Sequence, residues 1–106
     1  MDHYEPDDLS KDTAFKLVAD ERRRIVVRLM LDRRDEWDVP ALAKAVADRE
    51  RDGSPDTVDE EVEKRIRIAL LHRHLPRLGD AGVVTFDFDA ETVAPRDRLD
   101  ELAPLV

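Results

Sequence analysis

The chain has 106 residues, of which 42% are apolar, so it can form one domain with one modest core, and wholesale disorder is excluded. Acidic residues outnumber basic ones 26 to 18, giving a formal net charge of -8. No apolar run approaches the roughly 18 residues of a membrane span, and the acidic N-terminus lacks an apolar signal segment, so we expect a cytoplasmic protein without a membrane partner. The absence of cysteine excludes disulfides, thiolate metal sites and cysteine nucleophiles.

Two helices are predicted in the first third of the chain, after an acidic segment, 1–8, that is expected to fray. Ser10 is a cap for a short helix that ends near Val18, with Phe15 and Val18 on one face. A second helix is predicted over 20–33. Its apolar residues recur at helical spacing, at Ile25, Val26, Leu29 and Met30. Its exposed side is predicted to carry the arginines, Arg22, Arg23, Arg24, Arg28, Arg33 and Arg34.

Residues 36–39 interrupt the helical pattern and fit either a short strand or a loop. Pro40 suits the first turn of a third helix, predicted over 40–51. The apolar stripe of that helix consists of Leu42, Ala43, Val46 and Ala47. A turn cluster at 52–55 ends it.

A long helix is predicted over about 58–81, because Thr57 and Glu60 fit a capping box. Its apolar residues form two stripes on roughly opposite sides, the first with Val62, Ile66, Ala69 and Leu70, the second with Leu71, Leu75 and Leu78. This switch indicates a helix that is covered on two sides or changes course, with Pro76 as the expected bend. Gly82 fits the left-handed position after the helix.

A β-hairpin and a short helix are predicted to complete the chain. The strand-like run 83–88 is followed by a second at 92–94, with a tight turn at 89–91. The apolar residues of the C-terminal helix, predicted over 97–106, are Leu99, Leu102 and Val106. A small core does not obviously cover these residues together with Phe15 and Val18, so we expect a homodimer through a terminal helix.

The basic segment 64–79 contains five bases, two histidines and no acid. Because it leads through a helix stop into a hairpin, it has the outline of a recognition helix followed by a wing. The run from Leu75 to Val84 resembles the Leu-x-x-Leu-x-x-Ala-Gly-Val-Val junction of ArsR-like and MarR-like regulators. The segments 72–76 and 22–26 resemble those of a haloarchaeal family of small winged helix-turn-helix proteins, and the many Asp and few Lys residues resemble proteins of salt-loving archaea.

This resemblance covers about 12–95 and implies one mainly α-helical domain with a small β-hairpin, a winged helix-turn-helix spanning 1–106. It makes 40–51 the support helix and 58–78 the recognition helix, with Lys64, Arg65 and Arg67 as the residues that face double-stranded DNA. The implied function is a small transcription-regulator-like DNA-binding protein.

Acidic residues keep a second function open, a winged-helix module that docks a basic protein partner through an acidic face. One acidic group lies in the first turns of the predicted recognition helix, at Asp56, Asp59, Glu60, Glu61 and Glu63. The predicted wing contains Asp87, Asp89 and Glu91 and no base. These acids also suit the positive end of the helix dipole and a solvated turn.

Enzyme and metal chemistry find little support in the sequence. His72 and His74 are two residues apart, whereas helical metal ligands need a spacing of three or four, so packing or hydrogen bonding is the preferred interpretation. The serines, Ser10 and Ser54, lie at predicted caps or turns. For Arg22, Arg23 and Arg24, pairing with acids is favoured over phosphate contact. We expect no enzymatic activity and no cofactor.

Overall fold

The computed structural model describes residues 9–51 and 60–106, which form a mainly helical structure with a small antiparallel sheet. The α-helices are α1 (Lys11–Val18), α2 (Glu21–Asp32), α3 (Val39–Arg51), α4 (Glu60–Ala69) and α5 (Leu75–Asp80). A π-helical turn (Leu70–His74) joins α4 to α5, and a 3-10 helix (Asp97–Leu105) ends the chain. The strands are β1 (Trp37–Asp38), β2 (Val84–Asp87) and β3 (Thr92–Pro95).

The first two helices begin where their capping residues predict. The Ser10 hydroxyl accepts the Thr13 N–H at 3.0 Å, and the Asp20 carboxylate accepts the Arg23 N–H at 3.1 Å. The predicted apolar face of α2 is confirmed. The predicted face of α1 is wrong, because the helix buries Ala14, Leu17 and Val18 while Phe15 is 57% exposed on its other side.

Arg23 is buried, not exposed as predicted, because its guanidinium donates hydrogen bonds to carbonyls at the C-terminal end of α1. Only 7% of the residue is accessible. Its Nε donates to the Leu17 carbonyl at 2.8 Å and its Nη2 to the Lys16 carbonyl at 3.1 Å. The Arg24 guanidinium donates to the Val18 carbonyl at 2.8 Å. These carbonyls lie in the last turn of α1, where the regular helical hydrogen bonds end; the Lys16 carbonyl also accepts the Ala19 N–H at 3.4 Å.

The segment between α2 and α3 contains a two-residue strand, β1, where the sequence fits either a strand or a loop. The Trp37 indole N–H donates to the Arg33 carbonyl at 3.1 Å, and the Arg33 guanidinium lies 4.2 Å from the centre of the indole. The Asp38 carboxylate accepts the Ala41 N–H at 2.7 Å, and Pro40 lies in the first turn of α3 as predicted. The apolar stripe of α3 is buried as predicted. The predicted turn at 52–55 and the Thr57 part of the capping box lie outside the described residues.

The predicted continuous helix over 58–81 is divided by the π turn. The Leu75 N–H donates to the Leu70 carbonyl, five residues back, instead of four. Because of the extra residue, Leu70 and Leu75 both lie fully buried, although their spacing would separate them on a regular helix. Pro76 follows in the first turn of α5, where its missing N–H is tolerated. The switch between stripes therefore marks an inserted residue.

The helix stop and the hairpin form as predicted. Gly82 has a φ of +78°, and the Val83 N–H donates to the Leu78 carbonyl at 3.2 Å, which is the Schellman arrangement. Strands β2 and β3 pair antiparallel, with Phe86 opposite Val93. Strand β1 pairs with the other edge of β3, so the sheet order is β1-β3-β2.

The C-terminal helix is a 3-10 helix, and it is covered by this same chain. Leu99 and Leu102 are fully buried and Leu105 is partly buried. Their spacing of three matches the three residues per turn of a 3-10 helix. The helix packs against α1 and α2. The expectation that a single chain leaves the terminal apolar residues uncovered is therefore wrong. Phe15 is the exception, since it stays largely exposed.

A buried contact joins the π turn to the first half of the chain. His74 is 2% exposed, and its Nδ1 lies 3.3 Å from Arg23 Nη1. A guanidinium only donates hydrogen bonds, so Nδ1 accepts and the proton of the neutral ring is on Nε2. Burial lowers the pKa of His74 to about 4; the Asp20 carboxylate acts in the opposite direction, and the Arg23 guanidinium adds to the lowering.

The core predicts a large difference between two neighbouring apolar residues. Leu70 is fully buried in the main core cluster, which also contains Leu78, Ile25 and Leu29, whereas Ile68 is 48% exposed. Leu70→Ala should lower the free energy of unfolding by about 2–5 kcal/mol. The matched control, Ile68→Ala, should change it by less than about 1 kcal/mol. Urea denaturation tests both, and equal losses would contradict the assigned faces.

The buried histidine predicts a loss of stability in mild acid. The folded pKa of about 4 lies below the ordinary value of 6.5, so the unfolded chain binds the proton first. The contribution of His74 to stability is complete above about pH 6.5 and falls as the pH drops towards 4, by about 3 kcal/mol. Unfolding free energies of the parent and His74→Gln between pH 7 and 4.5 should therefore differ in slope. Parallel pH profiles would contradict the assignment.

Candidate nucleic-acid interface

Helix α4 has one face against the core and one face exposed. It packs on α3, and the side chains of Ile66 and Leu70 are buried. Val62, predicted for the same stripe, is exposed, so the buried stripe begins one turn later, at Ile66. The exposed side of α4 and the π turn carries Glu60, Glu61, Lys64, Arg65, Ile68 and His72. A ligand that contacts α4 meets these residues.

Lys64 and Arg65 are the two predicted DNA-facing bases that remain available. Both are exposed. Within 9–51 and 60–106, neither makes a hydrogen bond or an ion pair, so their cationic groups can contact an external anion without giving up an internal partner. Glu60 and Glu61 lie one turn earlier, at the positive end of the helix dipole.

Arg67, the third predicted DNA-facing residue, is paired with the hairpin. Its Nε and Nη2 donate to the two carboxylate oxygens of Glu91, each at 2.8 Å. The hydrogen bonds from Arg67 hold the pKa of Glu91 below its ordinary value, and the Glu91 carboxylate raises the pKa of Arg67. An external phosphate would have to compete with this carboxylate. In the folded chain, Arg67 therefore positions the hairpin against α4.

Glu91 connects three elements at the end of the hairpin. Its backbone has a left-handed φ of 53°, and its carbonyl accepts the Val39 N–H at 2.8 Å, at the start of α3. The Asp87 carboxylate accepts the Ala90 N–H at 3.0 Å and closes the turn. Asp87 and Asp89 are exposed, whereas Glu91 is partly buried by its contact with Arg67. The three acids of the predicted wing thus have different roles.

Exposed apolar side chains lie on the same side of the molecule as Lys64 and Arg65, and the sequence does not predict them as part of the site. The His72 and Phe88 rings are 5.2 Å apart in an edge-to-face arrangement, and Phe86 lies 6.4 Å from Phe88. Ile68 and Phe88 are each 48% exposed. The sequence does indicate that Ile68 is exposed, because it lies two residues after the buried Ile66, and residues two apart on a helix do not share a face.

Most arginines of α2 and of the segment that follows it make contacts within the fold. Arg22 donates to both carboxylate oxygens of Glu50, at 2.6 and 2.9 Å, and Arg34 pairs with Asp100 at 2.7 Å. The predicted pairing with acids is confirmed for Arg22, whereas Arg23 and Arg24 bind main-chain carbonyls. Because these arginines already have partners, Lys64 and Arg65 of α4 are the better candidates for phosphate contact.

The described part of the chain offers neither a metal site nor a membrane-spanning helix. No cluster of three or more His, Cys, Asp or Glu side chains there is arranged to hold a metal ion. None of the helices described combines the length and apolar character that a bilayer crossing needs. An open groove of about 480 Å³ between α3 and α4 is lined mainly by charged side chains, unlike the apolar pockets that hold small molecules.

Comparison with known proteins places the chain in a family. A family model described as a domain of unknown function (DUF7344) matches residues 15–94, from within α1 to within β3. Neither the curated proteins nor the solved structures contain a match to the chain. The matched segment includes α4, the π turn and the hairpin, and it covers well over half of the sequence, so the chain belongs to the DUF7344 family.

Proposed function

We propose that this protein is a winged helix-turn-helix that binds double-stranded DNA through α4. The observation that carries the proposal is that α4 packs on α3 with one face and presents unpaired Lys64 and Arg65 on the other. Support also comes from the order of elements, in which α3 and α4 are followed by a hairpin whose second strand pairs with β1. That order is typical of winged helices, with α4 as recognition helix and β2–β3 as wing.

Two unpaired cations on the exposed face of α4 support contact with a polyanion. Lys64 and Arg65 are available for phosphate contact, which supplies most of the affinity of DNA-binding proteins. Arg67 joins the wing to α4 through its hydrogen bonds to Glu91. Glu60 and Glu61 oppose a duplex, but they lie at the end of α4, one turn before the bases.

A second candidate function is a winged-helix module that binds a basic protein through an acidic face. It is favoured by the hairpin, where Asp87, Phe88 and Asp89 are exposed and the run 83–95 contains no base. The pairing of Arg67 with Glu91 also removes one cation from the surface that a duplex would meet. The two functions use different faces, so variants of α4 and of the hairpin separate them.

The remaining sequence-based expectations stay predictions. A homodimer would set two copies of α4 one turn of duplex apart, as in other helix-turn-helix proteins. Of the apolar residues on which that expectation rested, Phe15 is the one that stays largely exposed. The cytoplasmic location, the absence of enzymatic activity and the origin in a salt-loving archaeon likewise stay predictions.

Binding titrations with a duplex selected from a random pool, at several potassium chloride concentrations, test the proposal. Lys64→Ala and Arg65→Ala should each weaken binding and lower the salt slope by about one unit. The matched control is Arg28→Ala, which removes an exposed arginine of α2. Arg67→Ala should change the slope less, because in the parent protein the Arg67 guanidinium is paired with Glu91 and is not available to a phosphate. Glu60→Gln with Glu61→Gln should strengthen non-specific binding by removing repulsion.

The outcome that contradicts DNA binding is equally specific. Unchanged affinity in Lys64→Ala and Arg65→Ala would mean that α4 is not the contact surface. The interaction module predicts no duplex affinity in the parent and loss of a basic partner when Asp87 and Asp89 are changed to Asn.

A further inference from the structure

Ile68 lies on the exposed face of α4, next to its two unpaired cations. Lys64 lies four residues before it, Arg65 three residues before it and His72 four residues after it, so all three are its neighbours on the helix surface. Ile68 is 48% exposed, while Lys64 and Arg65 are exposed and unpaired among the described residues. An aliphatic side chain thus lies between two free cations and the His72–Phe88 pair.

The fold itself does not account for this isoleucine. Ile66 and Leu70, on the opposite side of the helix, provide the buried contacts of α4. Single exposed apolar residues are common on protein surfaces and need no explanation. Ile68 differs because of its setting. It lies on the same surface as Lys64 and Arg65, the two basic side chains proposed to contact DNA. A ligand reached by Lys64 and Arg65 would also cover Ile68.

The charges beside Ile68 select the kind of ligand. Lys64 and Arg65 attract a polyanion, and they repel the basic protein partner that the acidic hairpin would attract. In the major groove of a duplex, the apolar group at the base edges is the C5-methyl of thymine. An isoleucine has no hydrogen-bonding group with which to read any other base edge. A helix that places two cations and an isoleucine in the groove is therefore suited to a thymine.

We infer that Ile68 packs against the C5-methyl group of a thymine and gives the protein a preference for that base. This inference rests on the proposed function and adds a specificity-determining residue to it. Lys64 and Arg65 supply contacts to phosphates or to guanine, and Ile68 reads the thymine in the adjacent part of the site. Burial of the exposed part of Ile68 against one methyl group sets the expected size of the effect.

Replacement of thymine by deoxyuridine tests the inference, because it removes only the methyl group. Each thymine of the selected duplex is replaced in turn, and the affinity of the parent and of Ile68→Ala is measured. One position should weaken binding of the parent about fourfold, the effect of burying one methyl group. The same replacement should leave the affinity of Ile68→Ala unchanged. Ile68→Gln serves as a second variant that also lacks the aliphatic contact and should behave likewise.

Lys64→Ala is the matched control, since it should bind every duplex more weakly and still retain the fourfold loss at the same thymine. An equal deoxyuridine effect in the parent and Ile68→Ala, or no sensitive thymine in a duplex that the parent binds, would overturn the inference and leave DNA binding intact. No binding of any duplex by the parent would overturn the proposed function and the inference with it.

Discussion

The inserted residue in the turn Leu70–His74 determines how the helix from Glu60 to Asp80 is oriented. Because the Leu75 N–H bonds to the Leu70 carbonyl, five residues back, Leu70 and Leu75 face the same core. The same turn directs His74 inward to Arg23 and leaves His72 outside, against Phe88. Such π turns often occur at functional sites. Here the turn directly follows α4, the helix whose exposed side we propose contacts DNA.

Two contacts of opposite character hold this helix. On the buried side, Arg23 joins the end of α1 to His74, and a buried guanidinium is tolerated there because carbonyls and a neutral imidazole accept its hydrogen bonds. On the exposed side, Arg67 and Glu91 join the helix to the hairpin in water, where screening weakens an ion pair.

The sequence predicts the elements better than it predicts the contacts between them. The caps at Ser10, Asp20 and Gly82 follow from local chemistry and are observed. Burial of Arg23 was not predictable from periodicity, because it depends on the carbonyls of another helix. Lys64 and Arg65 follow from the basic segment and its family resemblance, whereas the pairing of Arg67 is not predictable from local sequence, because Glu91 lies 24 residues away. The exposure of Ile68 is not predicted from its residue type, because an isoleucine within an amphipathic helix is ordinarily expected in the core.

We propose that DNA contacts the exposed face of α4. The most direct test is an NMR titration of the 15N-labelled protein with the selected duplex, following every backbone amide. We expect the largest shift changes on Lys64, Arg65, Ile68 and His72, with little change around Arg28. Changes concentrated on Asp87–Asp89, or no change at saturating duplex, would contradict this proposal.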